Sequence, residues 1–384
     1  MRFKYQFIEK YYDQLIHCSR CGFCQVSCPV YQVTLRPALN PRGKMLVLKD
    51  LLEGRLALTD ELLDSFFQCT GCALCARHCP AGVNLAEILS EARMDMVREG
   101  IRHPVFKKLE LALADNKNIY GQDFPVSGTL ERMKGKAEIV FFRGCVGWFR
   151  ETESTEQTLI LLDRLKVDYT LINEVCCSGV LDQVGFKLNR TLAEHNIQSI
   201  LSTGAKTVLT ECPYCFRTFG LRPEYKRLKE EKIEVIPLVR FLSGFDFRLT
   251  TTKRLTYHDP CDLGRHSGLF EDPRQIIRKL TTDYVEMPHH REEARCCGAG
   301  GGMRGAHPGT SVAMAGLRLQ EAIEVEADVL LTNCNSCLHN FKNAQKRYSL
   351  LRRHKVKNYN LSHYINYLWT EKENAARNGK GIGA

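Results

Sequence analysis

Two runs of identical spacing constrain this chain more than anything else in it. "CSRCGFCQVSCP" sets Cys18, Cys21, Cys24 and Cys28 before Pro29, and "CTGCALCARHCP" sets Cys69, Cys72, Cys75 and Cys79 before Pro80. C-x2-C-x2-C-x3-C-P is the spacing that wraps a [4Fe–4S] cubane. Cysteines at every third position curl the backbone around one face of the cluster. The turn aims amide N–H groups at the sulfurs, which eases the addition of an electron. The fourth cysteine of such a run usually ligates the other cluster. Cys79 is therefore expected with Cys18, Cys21 and Cys24, and Cys28 with Cys69, Cys72 and Cys75. The proline stops the turn and withholds a donor. A pair of structural zinc sites fits poorly, because zinc prefers two CxxC pairs separated by a longer loop.

About 50 residues separate the two runs, with helical sequence between them in "GKMLVLKDLLEG" and "DELLDSFFQ". That is too long for a compact two-cluster ferredoxin and predicts a helical one. The other ten of the 18 cysteines fall into two matching sets. The first is Cys145, Cys176, Cys177, Cys212 and Cys215; the second is Cys261, Cys296, Cys297, Cys334 and Cys337. Their surroundings match too: "AEIVFFRGCVG" with "KRLTYHDPCDLG", and "TVLTECPYCFRTF" with "VLLTNCNSCLHNF". Offsets of 116, 120 and 122 residues mark one module used twice. Each reads as α/β: "EIVFF" and "TVLT" as short strands, "TEQTLILLDRLKV" and "TSVAMAGLRLQEAIEVEA" as helices. The expected division is a helical domain over 1–112, a polar link over 113–136, and modules over 137–250 and 251–384. Small, mostly parallel sheets would carry the cysteines at the carboxyl ends of their strands, where such sheets bind ligands.

Five thiolates are one too many for a cubane. Adjacent cysteines diverge along an extended backbone and do not readily serve two of its corners. A lone cysteine, a CC pair and a CxxC loop suit a distorted or opened cluster with a bridging thiolate. In "RCCGAGGGM", Gly298, Gly300 and Gly301 let the backbone approach the inorganic core, and the bare turn suggests open space for a substrate.

Cysteines grouped as CxxC units and CC pairs in a chain of 384 residues point to metal ligation in a reducing compartment, not to a disulfide scaffold. "MRFKYQFIEKYYDQLIHCSRC" has no apolar signal core, and no apolar run is long enough to cross a membrane. The expected location is the cytoplasm, with peripheral membrane docking through a partner. The formal charge of +10 counts every cysteine as neutral; cluster-bound thiolates would cancel much of it, so nucleic-acid binding is not expected. No GxGxxG turn or P-loop is present, so no nucleotide or flavin is expected on this chain.

The spacing C-x30–39-CC-x34–36-CxxC resembles the cysteine-rich CCG domain family; the counts here are 30 and 34, then 34 and 36. A two-cubane domain followed by two such modules is similar to the D-type iron–sulfur subunit of heterodisulfide reductase. It is similar as well to the iron–sulfur subunits of glycolate oxidase and anaerobic glycerol-3-phosphate dehydrogenase. The resemblance implies a noncubane [4Fe–4S] cluster in each module, held by the five cysteines named above. It implies a disulfide of the coenzyme M–coenzyme B type cleaved between them, with electrons from a flavoprotein or b-type cytochrome partner. The alternative is an electron-transfer subunit of a flavin-linked 2-hydroxy-acid or glycerol-3-phosphate dehydrogenase, delivering electrons towards quinone. One departure is Ser178 after the first CC pair, with the glycine delayed to Gly179. Near the second set, His258 is a candidate for a proton or substrate role, and His266, His289 and His290 are expected at the surface. Arg143, Arg217, Arg265 and Arg295 are candidates for meeting an anionic substrate.

Overall fold

The computed structural model describes residues 6–124, 130–348 and 356–379. Its first part is helical. Asn40 caps the helix Pro41–Leu52, accepting from Gly43 N–H at 2.8 Å, with Pro41 at the first helical position. Thr59 caps Asp60–Phe67, and Asn84 caps Leu85–Arg98. The helices bury Met45, Leu48, Phe66, Phe67, Ile88 and Leu89 in one core.

Two parallel sheets follow. The first runs β2 (Tyr169–Thr170), β1 (Ile139–Phe142), β3 (Thr207–Thr210), β4 (Glu234–Pro237). The second runs β5 (Leu255–Tyr257), β6 (Val329–Thr332), β7 (Lys357–Asn360), and an isolated parallel bridge from Leu255 to Tyr284 stands where β2 stands in the first. Ile139 lies opposite Thr207 as Leu255 lies opposite Val329, so the repeat in sequence is a repeat in register. Central strands of parallel sheets are covered on both faces, which is why "IVFF" and "VLLT" read as continuous apolar runs without alternation.

The modules are sequence repeats that share one core. Phe141, Leu162 and Leu209 of the first lie in the same buried cluster as Tyr257, Ile277 and Leu331 of the second. Each lends its last helix to the other. Leu238–Ser243, after β4, packs on Glu271–Leu280, and Leu361–Gly379, after β7, packs on Thr152–Arg164. The described part of the expected link is not free chain. Helix Pro104–Asp115 runs into it, Lys117 O accepts from Cys176 N–H at 2.9 Å, and Asn118 is wholly buried. Residues 125–129 of that link lie outside the described residues.

The helical domain lies against both modules. Its core cluster continues into Cys145, Val175, Cys176, Leu181 and Val184 of the first, and Val30 and Leu39 pack with Cys296, Met303 and Met314 of the second.

Candidate metal centres

All 18 cysteines are described, and none is in a disulfide. One hollow is lined by Cys18, Cys21, Cys24 and Cys79. A second is lined by Cys28, Cys69, Cys72 and Cys75. The fourth cysteine of each run thus faces the other run's first three. Gly71 N–H points to Cys69 Sγ at 3.5 Å and Val83 N–H to Cys79 Sγ at 3.3 Å, so backbone donors do aim at sulfur. Burial, then the charges of Cys18, Cys79 and Cys21, pushes Cys24 up to about 11. Burial pushes Cys28 up to about 12 against the pull of the Lys44 ammonium. Protein alone holds such thiols protonated. A cationic iron core is what makes four buried thiolates tenable together, and the donor set fits it.

In each module the five sulfurs form one unbroken chain of neighbours. Cys145 contacts Cys176, Cys177 Sγ lies 3.4 Å from Cys215 Sγ, and Cys215 contacts Cys212. Likewise Cys261 contacts Cys296, Cys297 Sγ lies 2.9 Å from Cys337 Sγ, and Cys337 contacts Cys334. In both sets the lone cysteine and the CxxC loop sit just beyond the carboxyl ends of β1 and β3 or β5 and β6, and the CC pair comes from the loop after β2 or after the Tyr284 bridge. Ser178 N–H approaches Cys176 Sγ at 3.3 Å and Gly298 N–H approaches Cys296 Sγ at 3.4 Å. The departure at Ser178 therefore leaves that donor in place, although a non-glycine residue is held at φ 57° there. The Cys296 and Cys337 thiols draw Cys297 down to about 5, whereas its counterpart Cys177 is raised to about 12, chiefly by Cys176.

Glu174, which no sequence pattern singles out, anchors the Cys145 turn. Its carboxylate accepts from Arg143 N–H at 2.9 Å, Gly144 N–H at 2.8 Å and Trp148 Nε1 at 2.6 Å. Burial nonetheless raises its pKa.

The glycine turn overturns one expectation. It does not border open space. A Cβ on Gly301 would lie 2.4 Å from Cys69 O, one on Gly300 3.2 Å from Thr70 O, and one on Gly298 2.4 Å from Ser311 O. The turn is bare because the second quartet's loop and the helix Pro308–Glu324 press against it. That contact joins two centres: the Cys72 and Cys296 thiols are close neighbours. Arg265 Nε donates to Cys72 O at 2.7 Å. Burial pulls the Arg265 pKa down, but the thiols of Cys72, Cys261 and Cys296 outweigh it and raise it. Arg93, also invisible to motif reading, donates to Phe66 O and Cys69 O at 2.6 and 2.8 Å and to Gln183 O at 2.7 Å. It ties all of these loops together from one buried guanidinium.

The remaining candidates are placed as follows. Arg217 pairs with Asp262, and Arg295 with Glu321 at 2.8 Å. Arg143 lies over the Trp148 ring, 3.1 Å from its centroid. His289 and His290 are partly exposed, but His266 is not a free surface group: its Nε2 lies 2.9 Å from Gly71 O, and burial lowers its pKa. His258 is buried, with one ring nitrogen within 4.8 Å of the Cys297 and Cys337 sulfurs. A second His/Asp group, Asp64 with His103 and His307, clasps the helical domain to the second module, with Asp64 Oδ1 at 3.2 Å from each Nε2. His103 Nδ1 accepts from Val105 N–H at 3.4 Å, so its proton sits on Nε2 and is donated to Asp64.

Comparison with known proteins agrees with this architecture. A model of the 4Fe–4S dicluster domain matches residues 14–83, and a model of the cysteine-rich domain matches 139–220 and 255–342. The chain belongs to this cysteine-rich iron–sulfur family. It is 32% identical to the D-type subunit of the dihydromethanophenazine:CoB–CoM heterodisulfide reductase of Methanosarcina barkeri, over 86% of this chain and 89% of that one. It is 31% identical to the corresponding protein of Methanosarcina acetivorans, over 85% and 88%. A crystal structure of a hypothetical protein from Helicobacter pylori superposes with a TM-score of 0.61 over 95% of this chain and 73% of that one; at 11% identity it shows the fold alone. Members of the family bind iron–sulfur clusters, and this chain is an iron–sulfur oxidoreductase subunit. Among the described residues no helix is long and apolar enough to cross a membrane.

Proposed function

We propose that this chain is the disulfide-reducing subunit of a heterodisulfide-reductase-type complex. It acts in the cytoplasm or at its membrane face, on a substrate of the coenzyme M–coenzyme B class, with electrons from a flavoprotein or b-type cytochrome partner. Cys18, Cys21, Cys24 and Cys79 would hold one cubane, and Cys28, Cys69, Cys72 and Cys75 the other. Each five-cysteine set would hold one noncubane cluster. When bound, the cubanes would supply single-electron relay and the noncubane clusters would supply thiophilic, redox-active iron for disulfide chemistry. The protein's own part is to hold these groups in order. Cys24 lies within electrostatic reach of Cys75, and Cys72 touches Cys296, so the first hollow adjoins the second and the second adjoins the second module's set. Arg265 and Lys44 set positive charge beside the thiolates and shield the added electron. Most of the module sulfurs are shielded from solvent: eight of the ten module cysteines are at most 9% exposed, Cys212 and Cys261 are partly exposed, and Val30 and Leu39 of the helical domain pack with Cys296.

One observation carries this reading: both modules keep the complete five-sulfur chain in the same order. A chain that only relays electrons needs no second complete set. The test is turnover of the anaerobically prepared protein with a reduced viologen donor and the mixed disulfide of coenzymes M and B. Two thiols released per two electrons consumed is the expected result. Electron uptake with no thiol release would instead make this the relay subunit of a flavin-linked dehydrogenase.

A further inference from the structure

The two five-sulfur sets are alike in their cysteines but not in what stands behind them. Strand register makes Phe142 and His258 equivalent, each three residues beyond the paired positions Ile139 and Leu255. His258 Nδ1 accepts from Arg318 Nε at 3.1 Å. Arg318 is itself fully buried, bound to the Glu321 carboxylate and to His289 O. A neutral imidazole whose Nδ1 accepts carries its proton on Nε2. A guanidinium can only donate, so Nδ1 bears no proton. Nε2 is buried and, among the described residues, has no hydrogen-bond partner. The Phe341 ring, edge-on at 5.0 Å, fixes the plane of the imidazole beside the Cys297 and Cys337 sulfurs. The first module has neither group. Phe142 packs edge-on against Phe219 at 4.8 Å, and Asn196 stands 122 residues before Arg318, its amide spent on Val175 N and O at 3.0 Å.

We propose that His258 Nε2–H donates a hydrogen bond to sulfur of the cluster held by the second module, so that the two sites are unequal and the second is the easier to reduce. A donor aimed at sulfur stabilises the extra negative charge of the reduced state, and a phenylalanine cannot. The proton stays on Nε2 and no bond is broken; only the reduction equilibrium moves. The favoured site is also the one that touches Cys72, so the bias runs along the path from the second cubane. The same geometry argues against His258 as an iron ligand, because Arg318 occupies Nδ1 and the proton occupies Nε2.

This rests on the noncubane reading above, and the experiment separates the two. The complete chain, its His258→Phe variant and its His258→Gln variant are prepared anaerobically, assayed for iron and sulfide, and titrated by EPR. His258→Phe is expected to make one cluster about tenfold harder to reduce, about 59 mV for one electron, with the others unmoved. His258→Gln, which keeps an N–H donor, is expected to recover part of that shift. Histidine labelled with 15N in the otherwise native chain is expected to show weak nitrogen coupling to that cluster. Full iron content in His258→Phe with no potential moved overturns the proposal, as does native coupling that is absent or strong enough for an iron–nitrogen bond. Should the phenylalanine variant lose iron, the labelled native protein decides. Iron for only two cubanes in the native protein would overturn the functional reading, and this proposal with it.

Discussion

A methyl group at position 301 has nowhere to go. Gly301 holds φ at +63°, and its added Cβ would meet Cys69 O at 2.4 Å, a backbone atom that cannot rotate aside. Gly301→Ala is expected to cost about 2–4 kcal/mol, from left-handed strain and overpacking together. Thermal unfolding reads the loss, and iron analysis should show the second cubane lost first. Lys44 is a second single-residue test. It is 2% exposed, gives its ammonium to Leu39 O, and lies beside Cys28 and Cys69, while burial lowers its pKa. Lys44→Met removes a positive charge next to the second cubane and should lower that cluster's midpoint in an EPR titration, leaving the first cubane unchanged. The first three sulfurs of each N-terminal run could be grouped because their spacing is local: a turn of three cysteines is its own instruction. Lys44, Arg93 and Glu174 were not legible. Each stands alone in ordinary helical or loop sequence, and the sulfurs or loops it serves lie outside its own local stretch of chain.

At the scale of elements, the strands and the longer helices could be read from apolar runs, but the exchange of final helices could not. Leu361, Tyr364 and Ile365 have helical spacing, yet nothing in that spacing says which module they cover. Ile365→Ala should cost about 2–5 kcal/mol, and its effect should appear in the other module, as lost hydrogen-exchange protection of Thr152–Arg164. Histidines at the contacts between elements add a pH dependence. Burial lowers the pKa of His307 in the Asp64 clasp and of His363 on the exchanged helix. Their neutral forms are favoured by folding. The stability they contribute is therefore present above the unfolded value near 6.5 and is lost as pH falls through the lower folded values. Melting temperature should drop on going from pH 7 to pH 5, and the paired variant His307→Gln/His363→Asn should flatten that drop. A pH profile unchanged by the substitutions would show that these two rings do not set it.

At the scale of the whole molecule, the repeat predicted two modules and the structure supplies their relation: one shared core, a helical domain against both, and a glycine turn that joins a cubane loop to one five-sulfur set. Glycines signal that the backbone comes close to something. The sequence could not say that the neighbour is another loop of the same chain, and so the turn suggested an open site. The formal charge of +10 has a structural counterpart, since Lys44, Arg93 and Arg265 lie inward among the thiols. Above all, the proposed chemistry requires substrate sulfur to meet iron in the paired modules. EPR of the anaerobic, oxidised protein, titrated with coenzyme M, coenzyme B and unrelated thiols, reads that meeting without any partner present. A new paramagnetic signal that appears only with thiol, and broadens when the thiol carries 33S, is the expected outcome. A spectrum indifferent to every thiol, in protein with all its clusters present by iron and sulfide analysis, would refute it.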